Sequence, residues 1–285
     1  TGESVDDACD PLFRLWRQKG GLTDELLWDR ALLAYAAREG GLLRYLASLG
    51  TANPEPYRLL RASFRRPDRT LSYARDLIDA APSSGTGRTL ALRRAAQLVV
   101  VGLERFSRYQ PARALSAYQQ SGDFDLSADQ RLRIERAIAY RGLLERDDAV
   151  RGWIDQGLVR WSDDKFTEIR LRWAVREGDF AGILAISEAL SSEKNEEGIW
   201  SYWRARALEE TGNPELAQVT FSEVAAQRSY YGFLSADRTG MPYSFNEETP
   251  VQAELDALLA GEKTREALAR IRELLALGKD REAHG

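Results

Sequence analysis

The sequence predicts an all-α fold, an irregular solenoid or superhelix of antiparallel helical pairs similar to a tetratricopeptide array. The first observation is a helical pair within residues 197–225, where apolar residues recur at spacings of three and four. Gly212-Asn213-Pro214 separates its two helices, because glycine favours the end of one helix and proline the first turn of the next. The residues expected to be buried are Trp200, Trp203, Ala207 and Leu208 in the first helix and Leu216, Ala217, Thr220, Phe221 and Val224 in the second.

The second observation is that this pair recurs along the chain. The turn at Gly178-Asp179 precedes that at Gly212-Asn213 by 34 residues (212 − 178), which is the period of tetratricopeptide-type pairs. Looser copies of the turn lie at Glu39-Gly40, Arg66-Pro67, Tyr109-Gln110, Arg146-Asp147 and Gly278-Lys279. A single helical pair leaves its outer face exposed, whereas stacked pairs bury a continuous core. The drifting spacing predicts a degenerate array.

Capping residues and prolines, which favour the first turn of a helix, predict where the helices of the first third of the chain begin. Asp10 and Pro11 open a helix, and Thr23 caps the next, whose buried face is expected to carry Leu26, Leu27, Ala31, Leu32 and Tyr35. The predicted helices span 10–19, 23–38, 41–48, 54–64, 67–79 and 88–108. The Pro-, Ser- and Gly-rich segment 82–87 is predicted to be an exposed, mobile loop. The β-branched run 98–101 could indicate a strand, but charged residues on either side continue the helical period.

The same signals predict helices throughout the remainder. They span 111–120, 127–145, 147–158, 163–177, 179–190, 196–210, 214–227, 230–239, 249–260 and 263–277. The short connections between them are typical of packed antiparallel helices. We expect one α-superhelical domain over 1–285, with the first helical pairs in 1–81, the loop at 82–87, central repeats in 88–245 and the last helices in 246–285.

Composition excludes several classes of protein. The formal net charge is −4, from 40 basic and 44 acidic residues, so a nucleic-acid-binding surface is not expected. No apolar run approaches the roughly 18 residues that a membrane-spanning helix needs, so we expect no membrane span. The N-terminus carries no signal peptide, and we expect the sequence to begin inside a longer chain.

The scarcity of histidine and cysteine limits the possible chemistry. His284 is the only histidine and Cys9 the only cysteine, which excludes Ser-His-Asp and Cys-His triads and nearly all zinc sites. We therefore expect no bound metal and no cofactor. Two interpretations of Cys9 remain open: a small buried side chain, or a disulfide with a cysteine upstream of the sequence.

Three acidic pairs are candidates for acid–base chemistry: Asp147-Asp148, Asp163-Asp164 and Glu196-Glu197. A glycosidase needs one or two such carboxylates. All three pairs, however, lie at predicted helix N-termini, where carboxylates bond free backbone N–H groups. Capping is the favoured interpretation.

Arginines and tryptophans are the remaining candidates for binding. Arginine clusters at 58/61/65/66, 93/94 and 131/133/136 are expected to form solvated helix faces with i,i+4 pairs, the alternative being a surface for an anionic polymer. The seven tryptophans are expected to pack in the core. Trp161, near a predicted turn, is the best candidate for a sugar-stacking ring.

Three segments carry a resemblance to a known family. ACDPLFRLWRQKG, WSYWRARALEETG and QRSYYGFLSADRTGMPY resemble the superhelical region of soluble lytic murein transglycosylases. The similarity covers almost the whole chain and is most specific in these segments. The matching residues, whose role is expected to be structural, are Trp200, Trp203, Tyr230, Tyr231, Gly232, Asp237 and Arg238. Some members pair the cysteine matching Cys9 with one upstream.

The resemblance implies a periplasmic enzyme that cleaves the MurNAc–GlcNAc bond of peptidoglycan and forms a 1,6-anhydro ring. A lysozyme-like catalytic domain would lie against a ring- or horseshoe-shaped superhelix. The family's catalytic block, a Glu-Ser pair followed by Gly-Leu-Met-Gln, is absent as a whole, since the only methionine, Met241, precedes Pro242. No catalytic residue is therefore assigned.

The resemblance leads us to expect a non-catalytic superhelix that holds peptidoglycan glycan strands, or cell-wall protein partners, for a catalytic domain elsewhere. The competing hypothesis is a tetratricopeptide-like adaptor for protein–protein interaction without a cell-wall role. A third is an intact enzyme that uses an unrecognised carboxylate.

Overall fold

The structure, a computed structural model, describes residues 19–50, 53–245 and 252–283, together with Pro11, Leu15 and Trp16. Helices occur in every one of these ranges, and no strand occurs within them. The prediction of an all-α fold is confirmed. Helix is also the conformation of the β-branched run 98–101, so rejection of a strand there was right. No helix in the described ranges is long and apolar enough to cross a membrane.

Helices follow one another with short connections. In the first half they are α1 (Asp24–Ala36), α2 (Gly40–Leu49), α3 (Pro54–Arg65), a 3₁₀ turn (Pro67–Arg69), α4 (Thr70–Asp79), α5 (Gly85–Ser107), α6 (Pro111–Gln119) and α7 (Ala128–Glu145). In the second half they are α8 (Asp148–Trp161), α9 (Asp164–Glu177), α10 (Phe180–Ser187), α11 (Ser192–Asn195), α12 (Gly198–Glu210), α13 (Pro214–Ala225), α14 (Tyr230–Thr239), α15 (Gln252–Ala260), α16 (Glu262–Ala276) and α17 (Asp280–Ala283).

The capping residues read from the sequence begin the helices as expected. The Thr23 side chain accepts from the backbone N–H of Leu26 at 3.2 Å. Ser127 forms a reciprocal capping box with Gln130. Such bonds satisfy backbone donors that have no partner within the helix. Of the first predicted helix, 10–19, Pro11, Leu15 and Trp16 are helical, and the other positions are mostly outside the described residues.

Two predicted boundaries are wrong. Residues 85–87 belong to α5 and not to a loop, because Gly85 adopts a φ of 82° that glycine tolerates and so lets the helix begin early. Residues 82–84 are exposed, as expected. The predicted helix 179–190 ends at Ser187, and Ser191 caps the separate short helix α11 by accepting from Lys194 N–H.

The chain divides into two compact units, Thr1–Gln218 and Val219–Gly285. In the first, each helix from α1 to α7 packs against its successor, and α9 packs against α10 and α10 against α12. Helices also contact the helix after next, as in the pairs α1/α3, α3/α5, α5/α7 and α7/α9. This double pattern is how stacked helical pairs build a solenoid. In the second unit α15 packs against α16, and α16 against α17.

The core of the first unit is rich in aromatic rings. Trp28, Tyr35 and Tyr57 are fully buried, and the rings of Trp28 and Tyr57 meet edge to face at 5.7 Å. Two residues expected in the core are exposed, Leu26 by 49% and Leu216 by 55%. Each points away from the buried face of its helix, since the next residues in the same turns, Leu27 and Ala217, are the buried ones.

Gly102 allows a close approach of α5 to the start of α4. A methyl group at this position would lie 2.3 Å from the Thr70 side chain, at the start of α4. The Thr70 hydroxyl is held in place by Ser63 at 2.7 Å, which also bonds the Tyr35 hydroxyl at 3.0 Å. Burial raises the pKa of Tyr35, so this buried hydroxyl stays protonated. Only glycine fits at position 102 without moving these groups.

We therefore expect Gly102→Ala to destabilise the fold by about 1–3 kcal/mol through overpacking. Gly152→Ala is the matched control, because Gly152 is exposed within α8 and an added methyl would meet nothing within 4 Å. It should stabilise by about 0.5–1 kcal/mol through helix propensity. Urea unfolding monitored by circular dichroism measures both changes. Equal shifts for the two variants would contradict the close approach.

Candidate functional site

Trp161 is not a sugar-binding platform. Its side chain is 6% exposed, and its indole N–H donates to Glu135 at 2.8 Å. The ring meets Trp153 at 5.2 Å and Phe166 at 6.1 Å. The prediction is wrong because α8 continues to Trp161 and brings the ring into the core. Trp28, Trp173 and Trp200 are also buried, whereas Trp16 is 40% exposed.

Two of the three acidic pairs cap helices, as predicted. Asp147 accepts from the backbone N–H of Ala149 at 3.0 Å, and Asp163 accepts from that of Lys165 at 3.0 Å. The third pair does not cap: the Glu197 side chain makes no cap bond and instead accepts from Lys194 at 2.5 Å. None of these contacts leaves a carboxylate pair poised for acid–base chemistry.

Arg94 was expected on a solvated helix face and is in fact 1% exposed. Its guanidinium lies 4.8 Å from the centre of the Trp28 ring and donates to Asp24 at 2.5 Å. Asp24 is in the first turn of α1, so this ion pair joins α1 to α5. Burial is tolerated because the charge is paired and the ring face attracts the cation.

The other predicted arginine clusters also pair mainly between helices rather than at i,i+4. Arg93 contacts Glu25 at 2.8 Å, and Arg136 contacts Asp163. Arg58 is an exception, since it pairs with Glu55 within α3. The expected solvated faces are present for the exposed members of these clusters, Arg58, Arg65, Arg66, Arg93, Arg131 and Arg133. The expected i,i+4 pairs are not, because four of the nine arginines pair with a carboxylate on another helix instead: Arg93, Arg94, Arg133 and Arg136.

Glu135 on α7 gathers donors from two other helices. It accepts at 2.8 Å from the Tyr118 hydroxyl, the Trp161 indole and the Arg160 guanidinium. Burial opposes ionisation of Glu135, but these three hydrogen bonds outweigh it and lower its pKa. Burial and the bond to Glu135 raise the pKa of Tyr118 to about 12. The cluster holds α6, α7 and α8 together.

Two residues of the family segments lie on α12. Trp200 is 2% exposed and donates its indole N–H to Glu168 at 3.1 Å. Trp203 is partly buried against the core and meets the Tyr202 ring at 5.6 Å. These contacts support a structural role for both tryptophans, which remains a prediction.

The other residues of the family segments lie on or beside α14. Tyr230 is 69% exposed. Gly232 has no room for a side chain, because a methyl group would lie 2.0 Å from the carbonyl oxygen of Gln227. Asp237 accepts from the Tyr243 hydroxyl at 2.6 Å. The Arg238 guanidinium lies 5.6 Å from the centre of the Phe221 ring. The Tyr231 ring meets that of Tyr230 edge to face at 5.2 Å.

Cys9 and His284 lie outside the described residues, so both interpretations of Cys9 stand as predictions. Among the residues that are described, no group of three or more His, Cys, Asp or Glu side chains is placed to hold a metal ion.

A cleft of about 300 Å³ lies where the C-terminal ends of α1 and α5 meet α7. We name it the arginine cleft, because four arginines line it. Its polar and aromatic lining comprises Arg38, Arg105, Arg108, Arg141, Glu104, Ser107, Tyr35 and Tyr140.

Local sequence explains how α5 and α1 present these cations. Glu104, Arg105 and Arg108 follow at spacings of one and three, which keeps them on neighbouring parts of the α5 surface. Arg108 directly follows the last residue of α5, where the helix dipole favours a positive charge. Arg38 lies two residues beyond α1 with a φ of 68°, a left-handed conformation that is uncommon outside glycine.

The cleft retains an excess of positive charge. Within the described residues, Arg38, Arg108 and Arg141 contact no carboxylate. Glu104 is already occupied by two hydrogen bonds of 3.0 Å from Arg133. Burial, and then the charges of Arg38 and Arg141, lower the pKa of Arg108. The charge of Glu104 opposes this effect on Arg108, so the cluster is compensated only in part, and the remaining positive charge attracts anions.

Arg105 is held rigidly at the edge of the cleft. Its Nε–H donates to the carbonyl oxygen of Phe64 at 2.8 Å, and its guanidinium lies 3.9 Å from the centre of the Phe64 ring. The opposite wall carries Tyr140, which is 44% exposed and stacks on Phe166 at 6.2 Å. Arg105 and Tyr140 are thus anchored side chains of the cleft.

The sequence analysis missed this cleft, although a signal was present. Arg38 and Arg108 each stand directly before a repeat turn, and they are 70 residues apart (108 − 38), about two periods. Arg141 follows Arg108 by 33 residues (141 − 108), about one period. Residues at equal positions of a stacked repeat lie close together in space. Comparing arginines by their distance from the repeat turn would have grouped Arg38 with Arg108, but not Arg141, which lies five residues before the turn at Arg146-Asp147.

Comparison with known proteins supports the resemblance. Soluble lytic murein transglycosylase from Escherichia coli (strain K12) is 27% identical over 289 residues, which cover 99% of this chain and 42% of the relative. The same enzyme from Salmonella typhimurium matches with the same identity and coverage. The chain therefore spans about 42% of the length of these curated relatives. No protein-family model matches it.

Solved structures agree. An inactive mutant of lytic transglycosylase Slt from Pseudomonas aeruginosa is similar at a TM-score of 0.65 and 27% identity, over 100% of this chain and 44% of that one. The 70 kDa soluble lytic transglycosylase from Escherichia coli gives a TM-score of 0.63 at 26% identity, over 99% of this chain and 44% of that one. A complex of the 70 kDa enzyme with bulgecin A gives 0.64.

The Glu135 cluster yields a pH-dependent prediction. The folded pKa of Glu135 is lowered, so its stabilisation is present above its unfolded pKa of about 4.3 and is lost as the pH falls through the folded value. We expect Glu135→Gln to destabilise by about 1.5–3 kcal/mol at pH 7, since charge-assisted bonds are lost. This difference from the wild type should shrink below about pH 4.

Urea unfolding at pH 7 and pH 3 measures the difference. Glu188→Gln is the control, because Glu188 is exposed and its removal should change stability by less than about 0.5 kcal/mol. A loss for Glu135→Gln that is equally large at pH 3 would show that the charge of Glu135 is irrelevant.

Proposed function

Because this chain is homologous to the soluble lytic murein transglycosylases over almost its whole length, we propose that it is the superhelical scaffold of such an enzyme. In this role it holds peptidoglycan strands, or cell-wall protein partners, for an active site elsewhere that cleaves MurNAc–GlcNAc bonds to 1,6-anhydro products. We propose that the protein carries out this role in the periplasm.

The whole-length similarity carries the proposal. It covers 99% of this chain in the curated relatives and 99–100% in the solved structures, so it is not confined to one motif. Stacked helical pairs suit a scaffold, since an extended array offers a long surface for a polymer.

The hydrogen-bond and ion-pair partners of the carboxylates support a non-catalytic role. Asp147 and Asp163 bond backbone N–H groups, and Asp163 also pairs with Arg136. Glu135 accepts three hydrogen bonds that favour its ionised form, which is the opposite of what a general acid requires. These carboxylates are used in holding helices together.

We expect the chain to sediment with purified peptidoglycan sacculi and to release no 1,6-anhydro-muropeptides from them. We expect binding because the proposed role includes contact with the polymer. We expect no product because the proposed role places the active site elsewhere. Co-sedimentation followed by gel analysis measures binding, and mass spectrometry of the supernatant measures release.

Chitin, a polymer of GlcNAc alone, is the control polymer, and we expect weaker binding to it. Release of an anhydro product, repeated with a freshly purified preparation of the protein, would contradict the non-catalytic role. Failure to bind sacculi would contradict the peptidoglycan role and favour a protein–protein adaptor.

A further inference from the structure

We propose that the arginine cleft is a carboxylate-binding site, and that its ligand is a carboxylate of the peptides that peptidoglycan strands carry. The choice of ligand rests on the proposed function, whereas the choice of carboxylate chemistry rests on the cleft itself.

The first step is the convergence of free guanidinium groups. Arg38 and Arg108 follow the C-terminal ends of α1 and α5, and Arg141 lies on α7; all three line one cleft, and within the described part of the chain none contacts a carboxylate. Guanidinium groups elsewhere between packed helices are paired, as Arg136 is with Asp163. Three like charges brought together repel one another, so an anion between them stabilises the cleft.

The second step is that the protein itself neutralises the cleft only in part, because the charge of Glu104 acts on Arg108 while its oxygens are bound by Arg133. Glu104 is the acidic residue among the described lining, and both of its oxygens accept from Arg133. Arg105 is bound to the Phe64 carbonyl and stacked on the Phe64 ring, which fixes its charge at the rim. The positive charge is therefore built in and held.

The third step concerns the shape of the ligand. Guanidinium groups bind carboxylate oxygens in pairs of hydrogen bonds, and several around one cleft favour a group with two or more oxygens. A volume of about 300 Å³ accommodates a short peptide end but not a wide polymer. The exposed ring of Tyr140 and the small side chains of Ala36 and Ala137 supply apolar contact beside the charge.

The fourth step selects the source of the anion. The amide-substituted sugars of a murein strand are uncharged, so its negative charge lies mainly in the carboxylates of its peptides. The chain has a net charge of −4, which disfavours long-range attraction of a polyanion such as nucleic acid. A small positive cleft on a weakly acidic protein can instead bind one carboxylate at a time. The rest of the polymer would then be held by contacts outside the cleft.

The test compares the wild type with Arg108→Gln/Arg141→Gln by isothermal titration calorimetry. The probe is a purified disaccharide–peptide muropeptide with free carboxylates, and the same muropeptide after amidation. We expect the double variant to bind the free form about tenfold or more weakly, because two charge-assisted contacts are lost. Amidation should weaken binding by the wild type to a similar extent.

Arg44→Gln/Arg69→Gln is the matched control. Both arginines are exposed and lie outside the cleft, and their replacement changes the net charge equally. We expect its affinity to stay within about twofold of the wild type, as expected for distant surface charges. Arg108→Lys/Arg141→Lys keeps the charge and should recover part of the affinity. Thermal melts confirm that each variant is folded.

The outcomes separate this proposal from the proposed function. If the wild type binds sacculi and the cleft variant binds muropeptide equally well, the cleft assignment is overturned and the scaffold role stands. Tighter binding of inorganic phosphate than of muropeptide would overturn the assignment to a carboxylate. Tighter binding of an acidic protein peptide would overturn the assignment to peptidoglycan.

If the wild type binds no sacculi, the scaffold role fails. The binding of citrate by the wild type and by the cleft variant then tests whether the cleft is a carboxylate site. Citrate bound about tenfold more tightly by the wild type than by the cleft variant would uphold a carboxylate site, since the same two charged contacts are compared. Equal binding of citrate by the two proteins would overturn it.

Discussion

The first unit depends on the burial of one long helix, α5. It packs against α1, α3, α4, α6 and α7, so most of its circumference is covered. A helix surrounded in this way must be apolar on several faces, which explains why residues 98–101 read as a strand-like run. Gly102 brings α5 against Thr70, and no larger residue permits that distance. This contact sets how closely α4 approaches α5.

Buried arginines then specify which helices are neighbours. Arg94 joins α5 to α1 through Asp24, and Arg170 joins α9 to α8 through two bonds to Asp155, at 2.7 and 3.1 Å. Apolar packing alone tolerates alternative neighbours in a degenerate repeat, whereas a buried guanidinium without its carboxylate is strongly destabilising. A tryptophan ring also lies against each cation, at 4.8 Å from the ring centre for both Arg94 on Trp28 and Arg170 on Trp173. We infer that charge pairing sets the order of packing.

Sequence reasoning succeeded where the controlling interactions are local. Prolines and caps such as Thr23 and Ser127 act within one turn, so helix positions came within a few residues. It failed where a distant partner decides. The burial of Arg94 needs Asp24, 70 residues away, and that of Trp161 needs Glu135. The arginine cleft was missed for the same reason: its three free cations belong to different repeats, and no short motif contains them.

The repeat itself accounts for a charged cleft on a weakly acidic chain. Stacked helices lie roughly 8–10 Å apart, so equivalent positions on successive pairs come close in space. Arg108, directly after the last residue of α5, is favoured by the dipole of that helix. Packing of α1, α5 and α7 brings Arg38 and Arg141 to the same cleft, so a cation cluster forms that no single helix requires. A bound carboxylate relieves the resulting repulsion, so in a helical array a ligand site can arise from the packing rule that builds the fold.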